Sequence, residues 1–360
     1  MCSNILYLAS AGSGKTTQIA RETTSITENV LIVTYTNENC SNIINKIEEI
    51  IGFIPANITI LSWYNFIMRE CCRPFQSCIT EDRIINFCYE EPPRYATKDT
   101  LKYFLTKSNK LYSEHAVRFA IRCNEILPNC VIERLEKIYR YIYFDEIQDI
   151  CGYDLDFIEL LLKSKIQITM CGDIRQATFT TNNNLYNRKY KGYKIWDKFK
   201  ECEKQNLLKI EYQNYSYRCH QSICNIADLV FPEMNNTNSE TDYSCNCGVY
   251  CCKEEDLEYC LNTYKPVILH HSKRDMISNP NNLMHYNFGE SKGLTFDNVL
   301  IICTKPFAEF VKNKTLPDSE ESKSKLYVAI TRAKYNVFFY YKKGLKDSSF
   351  IDFIKKEDYY

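Results

Sequence analysis

The 360-residue sequence has no run of about 18 apolar residues, so no membrane-spanning helix is expected. Its first residues lack the basic stretch and cleavage site of a signal peptide, because the apolar segment 5–8 leads directly into a glycine turn. An excess of either charge is also missing, since 45 Lys and Arg balance 45 Asp and Glu. The whole molecule is therefore no general binder of polyanions, and any nucleic-acid site must be a local groove. Internal repeats and long low-complexity tracts are absent. Cysteine, by contrast, is abundant. The 19 cysteines are scattered and odd in number, which argues against a disulfide framework and for a reducing cytoplasm. Most lie in apolar stretches, as Cys171, Cys224 and Cys303 do, where a thiol packs as a small hydrophobe. Cys245, Cys247, Cys251 and Cys252 lack the two cleanly separated pairs that a structural zinc site uses, and they also read as the entry to a strand, GVYCCK; metal binding by these four stays open. With 45% hydrophobic residues the chain can build the cores of two domains.

What is present begins with ILYLASAGSGKTTQIA, residues 5–20. Residues 5–8 read as a short buried strand and Thr16 onward as a helix start, so the context is strand, turn, helix. Gly12 and Gly14 let the backbone turn sharply, so that successive amide N–H groups point at one phosphate chain. The helix N-terminus adds its partial positive charge there. Lys15 reaches the β- and γ-phosphates as a point charge, and Thr16 offers a hydroxyl to Mg2+. The usual pattern G-x-x-x-x-G-K-[ST] has glycine where this chain has Ala9, a change that costs little if the backbone angles there are ordinary. Ala9, Ser10, Ala11, Gly12, Ser13, Gly14, Lys15, Thr16 and Thr17 form the candidate ATP cradle.

Such a loop needs an acid for the metal and a base for water. YIYFDEIQDI, residues 141–150, supplies both. An apolar strand ends at Asp145 and Glu146, where open α/β sheets place their chemistry. Asp145 would hold Mg2+ and Glu146 would deprotonate the attacking water. An acidic pair at a strand end is common as a solvated turn; the phosphate loop upstream is what favours the catalytic reading.

Asp145-Glu146-Ile147-Gln148-Asp149 resembles motif II, D-E-x-Q-D, of the UvrD/Rep-type superfamily 1 helicases. That family's loop begins with Ala, as A-x-x-G-x-G-K-T, and ASAGSGKT is similar to it. Further segments follow in the family's order. LIVTYTNENCSNII (31–44) resembles motif Ia, which implies that Tyr35, with Thr36 beside it, stacks on a base. LSWYNFI (61–67) is similar to a looser motif Ib, with Tyr64 where His is usual; the match implies that Ser62, Trp63 and Phe66 contact DNA, Trp63 by stacking, although Trp63 also reads as a core residue. MCGDIRQATF (170–179) resembles motif III, with Gln176 as γ-phosphate sensor and Phe179 as a further stacking residue. NYSYRCHQSICNIAD (214–228) resembles motif IV, so that Tyr217 would stack on adenine and Arg218 would reach the γ-phosphate. GESKGLTFDNVLI (289–301) is similar to motif V and places Lys292 and Gly293 on the nucleotide. KLYVAITRAK (325–334) resembles motif VI, in which an apolar strand is expected to deliver Arg332 as a second arginine finger.

The resemblance implies two RecA-like α/β domains with parallel sheets, 1–203 and 204–360, with a mainly helical insertion at about 68–140. It implies an ATP-dependent translocase or helicase that moves on single-stranded DNA, 3′ to 5′, as two arginines close on the γ-phosphate and release after hydrolysis. The chain departs from the pattern in several places. The family's upstream glutamine motif is missing, Thr17 stands where Arg is frequent, and motif V has Asn287-Phe288-Gly289 and Thr295 for T-x-H and Glu. The short stretch between motifs IV (214–228) and V (289–301) leaves no room for the large extra domain that bigger members insert there. A regulatory ATPase subunit that senses DNA ends or strands and switches a partner enzyme is therefore the alternative, as in the helicase-like subunit of Gabija-type anti-phage systems beside a nuclease. After motif III, residues 184–200 interleave Arg188, Lys189, Lys191, Lys194 and Lys198 with aromatics. Over 184–191 this suits a single-strand-binding loop; over 192–200 it suits an amphipathic helix with Ile195, Trp196 and Phe199 inside and solvated lysines.

Overall fold

The computed structural model describes residues 4–178, 186–243, 247–279, 281–345, 348 and 350–354. Its internal contacts divide the chain into two compact units. The first holds Met1–Leu8, Lys15–Ile174 and Thr180–Tyr212; the second holds Ala9–Gly14, Arg175–Phe179 and Gln213–Tyr360.

The first sheet consists of β1 (Ile5–Ala9), β2 (Val30–Thr34), β3 (Ile58–Ser62), β4 (Tyr141–Phe144), β5 (Gln167–Gly172) and β6 (Lys209–Gln213), in the order β3-β2-β4-β5-β1-β6. The pairs β2–β3, β2–β4, β4–β5 and β1–β5 are parallel. A parallel strand covered on both faces reads as a continuous apolar run, and β2 is one, VLIVT with all five residues buried. Helix α1 (Lys15–Thr24) contributes Ile19 and Ala20 to one face of this sheet, and α2 (Asn37–Ile51) contributes Ile43 and Ile47 at helical spacing. Two end signals bound α2. The Thr36 hydroxyl accepts from Asn39 N at 3.1 Å, a cap worth about 1 kcal/mol. Gly52 closes the helix in the left-handed region at φ 84°.

Register decides what this sheet presents. Val33 lies opposite Phe144 and Thr34 opposite Ser62, so β2, β3 and β4 end together. Asp145, Tyr35, Thr36, Ser62 and Trp63 therefore emerge at one edge, the carboxyl ends of parallel strands where α/β sheets build sites. The segment between β3 and β4 holds the helices Ala116–Ile126 and Cys130–Ile138 and a short strand pair, Phe87–Cys88 with Leu111–Tyr112. The helix Ile195–Lys204 buries Ile195, Phe199 and Cys202. Trp196 is only half-buried, and Lys198 is not solvated as expected: its ammonium sits 2.5 Å from the Glu159 carboxylate.

The second sheet runs β9-β8-β10-β11-β7-β12, with β7 Gly248–Cys252, β8 Val267–His270, β9 His285–Asn287, β10 Phe296–Ile302, β11 Ala333–Tyr340 and β12 Asp352–Phe353. Every described pairing in it is parallel. Its core includes Cys252, Cys260, Ile268, Leu300 and Phe338. Every described cysteine in the chain is a free thiol, and burial pushes those of Cys171 and Cys303 well up. Cys251 and Cys252 lie buried on β7, whereas Cys245 is outside the described residues. Two parallel sheets flanked by helices make this the α/β class that the motif order implies.

One element differs from expectation. Arg332 is not delivered by a strand, because Glu320–Ile330 is helical and β11 begins only at Ala333. A short apolar run such as LYVAI does not by itself distinguish a strand from a buried helix.

Candidate functional site

In the first unit the decisive group is Asp145. Phe144 ends the buried strand, and the Asp145 amide still donates to Val33 O at 2.9 Å, so the carboxyl leaves the sheet at a defined point. Its Oδ2 accepts from the Thr16 hydroxyl at 3.1 Å and its Oδ1 from the Glu146 amide at 3.0 Å. Burial, and then the neighbouring Glu146 charge, push the Asp145 carboxyl up to about 7, against the pull of Lys15 and Thr16. Lys15, the first residue of α1, is 8% exposed. Glu146 sits in the left-handed region at φ 56°, unusual for a residue with a side chain and a known mark of functional turns. Its carboxylate accepts a hydrogen bond from Gln148 Nε2, and Gln148 Oε1 in turn accepts from Asp173 N at 3.2 Å.

In the second unit, loop Ala9–Gly14 is held by its backbone. Ala9 has no positive φ, so alanine fits the first position, whereas Gly12 and Gly14 stand at φ 76° and 83°. The Ala11 carbonyl accepts from Ser216 Oγ at 2.7 Å, and the Gly12 carbonyl accepts from Tyr217 N at 2.9 Å. The Ser13 hydroxyl is buried without a hydrogen-bond partner among the described residues. A Cβ on Gly12 would lie 2.5 Å from Arg218 Cβ, closer than atoms approach. Gly12→Ala is therefore expected to destabilise the protein by more than about 1 kcal/mol. Thermal melting against Gly52→Ala is the check: Gly52 has a similar φ but nothing within 4 Å of its Cβ direction, so equal losses would remove the close approach as the cause.

The second unit also holds six more of the expected site residues: Gln176, Tyr217, Arg218, Lys292, Gly293 and Arg332. Arg332 is 1% exposed and donates to Gln176 Oε1, Leu294 O and Val328 O, each at 3.1 Å. Arg218 Nη1 donates to Thr331 O at 3.2 Å. Tyr217 is exposed, with one edge toward the Tyr215 ring at 5.4 Å. Lys292 and Gly293 belong to the turn that ends at Leu294, whose carbonyl Arg332 holds.

The chain's sequence from 8 to 344 matches the family model of the UvrD-like helicase C-terminal domain. The chain belongs to that family. No curated protein matches this UvrD-like chain. Among solved structures it is similar to Arterivirus nonstructural protein 10 (helicase), at 12% identity and TM-score 0.49, over 94% of this chain and 60% of that one. The same Arterivirus protein in complex with DNA is matched at 13% identity and TM-score 0.49, over 94% and 61%. The PRRSV helicase is matched at 15% identity and TM-score 0.45, over 95% and 53%. This UvrD-like chain thus spans about three-fifths or less of the length of the solved structures it matches.

The residues expected to contact a strand divide in the UvrD-like fold. Tyr35, Thr36 and Ser62 line one open groove of about 390 Å3 in the first unit, together with Tyr64, Arg73 and Tyr89. Burial, then Asp149, push the Tyr35 phenol up to about 12. Trp63 and Phe66 do not join that groove. Trp63 is 3% exposed and Phe66 fully buried, their rings 6.1 and 6.3 Å from that of Phe144, so both pack the core beneath the strand ends. Phe179 lies outside the described residues, and of Arg188 only the backbone is described. Lys189 is exposed, with its ammonium 4.4 Å from the Tyr190 ring. Sequence reading missed Gln148 as the partner of Glu146, although it sits inside D-E-x-Q-D. It also missed Tyr64 and Tyr89 in the groove; for Tyr89 no sequence signal exists.

Proposed function

We propose that this protein is an ATP hydrolase that couples turnover to movement along single-stranded DNA, 3′ to 5′. One observation carries the reading: a glycine loop opens a helix whose first two residues, Lys15 and Thr16, serve the buried Asp145 of an acid pair at a strand end. The residues fit the groups they would hold. Gly12 and Gly14 take left-handed backbone that side-chain-bearing residues rarely adopt, the buried Ser13 hydroxyl has no hydrogen-bond partner among the described residues, and the Thr16 hydroxyl with the Asp145 carboxylate is a hard-oxygen donor pair suited to Mg2+. Bound Mg2+ would supply charge neutralisation on the phosphates. Lys15 binds the phosphates as a point charge, and Glu146, oriented by Gln148, takes the proton of the attacking water. Arg218 and Arg332 stabilise the charge that develops on phosphate held by the loop, with Gln176 placed by Arg332. The strand lies in the groove of Tyr35, Thr36 and Ser62, where bases stack and the N-terminus of α2 faces a phosphate.

ATP turnover with and without single-stranded DNA is the first test, followed by displacement from duplexes tailed at either end. Unstimulated turnover would remove the strand groove. Stimulation without displacement would favour a DNA-sensing regulatory ATPase, a role that the glycine at 289 in place of the family histidine supports.

Two substitutions separate groove from core. Tyr35→Ala is expected to weaken single-strand binding roughly ten- to a hundredfold, because stacking contributes about 1–3 kcal/mol per base, while basal turnover and melting stay unchanged. Trp63→Ala removes a buried indole and is expected to cost about 3–5 kcal/mol of stability, lowering basal and stimulated turnover together. Strand titrations and melting curves on both variants decide; unchanged affinity for Tyr35→Ala would sink the groove.

A further inference from the structure

Arg175 occupies one of the open positions of G-D-x-x-Q, outside the residues that the motif itself fixes. It is 3% exposed, and its guanidinium touches four separate stretches of the second unit. Nη2 donates to Ser10 Oγ in the phosphate loop at 2.8 Å. Nη1 reaches Asp228 Oδ1 at 3.3 Å and Thr237 Oγ1 at 3.5 Å. The guanidinium carbon lies over the Tyr327 ring, 4.7 Å from its centre. Asp228 is itself fixed, accepting from Thr237 N at 2.6 Å and Thr237 Oγ1 at 2.9 Å.

The contacts continue to the two arginines. The Tyr327 phenol oxygen accepts from Ala11 N at 3.4 Å, and the Tyr327 carbonyl accepts from the Thr331 hydroxyl at 2.8 Å. Thr331 then offers its carbonyl to Arg218 and its hydroxyl oxygen to Arg332 Nη2, at 3.2 and 3.4 Å. Arg332 closes the ring on Gln176, the residue after Arg175. The phosphate loop and both candidate arginine fingers thus share one buried cation as their common support. A planar fork that donates from two nitrogens while its cation lies over an aromatic ring suits this task; a lysine ammonium cannot make these contacts together.

We propose that Arg175 is a positioning residue for ATP hydrolysis, which holds the loop at Ser10 and, through Tyr327 and Thr331, sets Arg218 and Arg332 for the reaction. This rests on the ATPase reading above. Its action is on turnover, since the phosphates of bound nucleotide are held by loop amides and Lys15.

The test compares kcat, ADP affinity and melting for Arg175→Lys, Arg332→Lys, their double variant, and the charge-neutral pair Arg175→Met/Asp228→Asn. Arg175→Lys is expected to lower kcat about tenfold or more while ADP affinity changes less than about threefold. The double lysine variant should be slower than Arg332→Lys alone by less than the loss that Arg175→Lys causes by itself, because part of that loss runs through Arg332. The neutral pair, which leaves no buried charge unpaired, should melt near wild type yet remain slow. Wild-type kcat in Arg175→Lys, fully additive losses in the double variant, or recovered turnover in the neutral pair would each overturn the proposal and reduce Arg175 to a counter-charge for Asp228. Failure of the ATPase reading itself looks different: the wild-type protein would neither bind nor hydrolyse ATP.

Discussion

Lys15→Ala is expected to fold normally and to lose ATP turnover by at least about a hundredfold, the scale on which removing one preorganised charge contact acts. Lys15 opens α1, and alanine is the best helix former, so the helix is retained. The position is nearly buried, so the ammonium is already desolvated and acts in a low dielectric, where its attraction for phosphate exceeds that of a surface lysine. It also pulls the Asp145 carboxyl down against burial and Glu146. Without it the acid pair faces the substrate uncompensated, which penalises a second set of negative charges. Nucleotide binding by titration calorimetry should weaken with turnover, while melting stays close to wild type. Wild-type turnover in this variant would end the ATPase assignment.

Glu146→Gln should separate binding from chemistry. ATP affinity is expected to persist, and hydrolysis is expected to fall by about two or more orders of magnitude, the scale of a lost general base. The amide keeps the volume of the carboxylate and the same backbone demands at φ 56°, so the turn survives. What disappears is the basic oxygen that Gln148 orients. Single-turnover hydrolysis with saturating ATP and Mg2+ reads the chemical step directly. If this variant stays active while Asp145→Asn is dead, then Asp145 is the base and the roles of the pair are reversed. The buried position of Asp145 against the Thr16 hydroxyl, with Glu146 more open, favours Asp145 for the metal and Glu146 for the water.

Much of the fold was legible because its signals are local. A five-residue apolar strand, a glycine turn and a helix start specify each other within about 20 residues, and β2 declares its double burial in VLIVT. The acid pair follows YIYF, whose aromatic and β-branched residues favour a strand, and it falls at a strand end. The same holds for the α/β class, since strands alternating with helices leave parallel pairing as the natural solution.

Other features were decided only by residues far apart in sequence. Trp63 reads equally well as a stacking residue or as core; Phe66 and Phe144, brought beneath it by the register of β3 and β4, bury it. Lys198 reads as a solvated lysine until Glu159, nearly forty positions earlier, meets it. Arg332 could follow a strand or a helix, because a short apolar run carries no period of its own, and the tertiary fold made it a helix end. Arg175 carried no signal, since its partners Ser10, Asp228, Thr237 and Tyr327 span more than three hundred positions. The sequence by itself determined the sheet class and the element types where a period or a turn signal is present, because those follow from nearest-neighbour sterics and periodicity. Which side chains face a groove, which vanish into the core and which buried cation ties a loop to distant arginines depended on packing between segments, and only the tertiary structure supplies that.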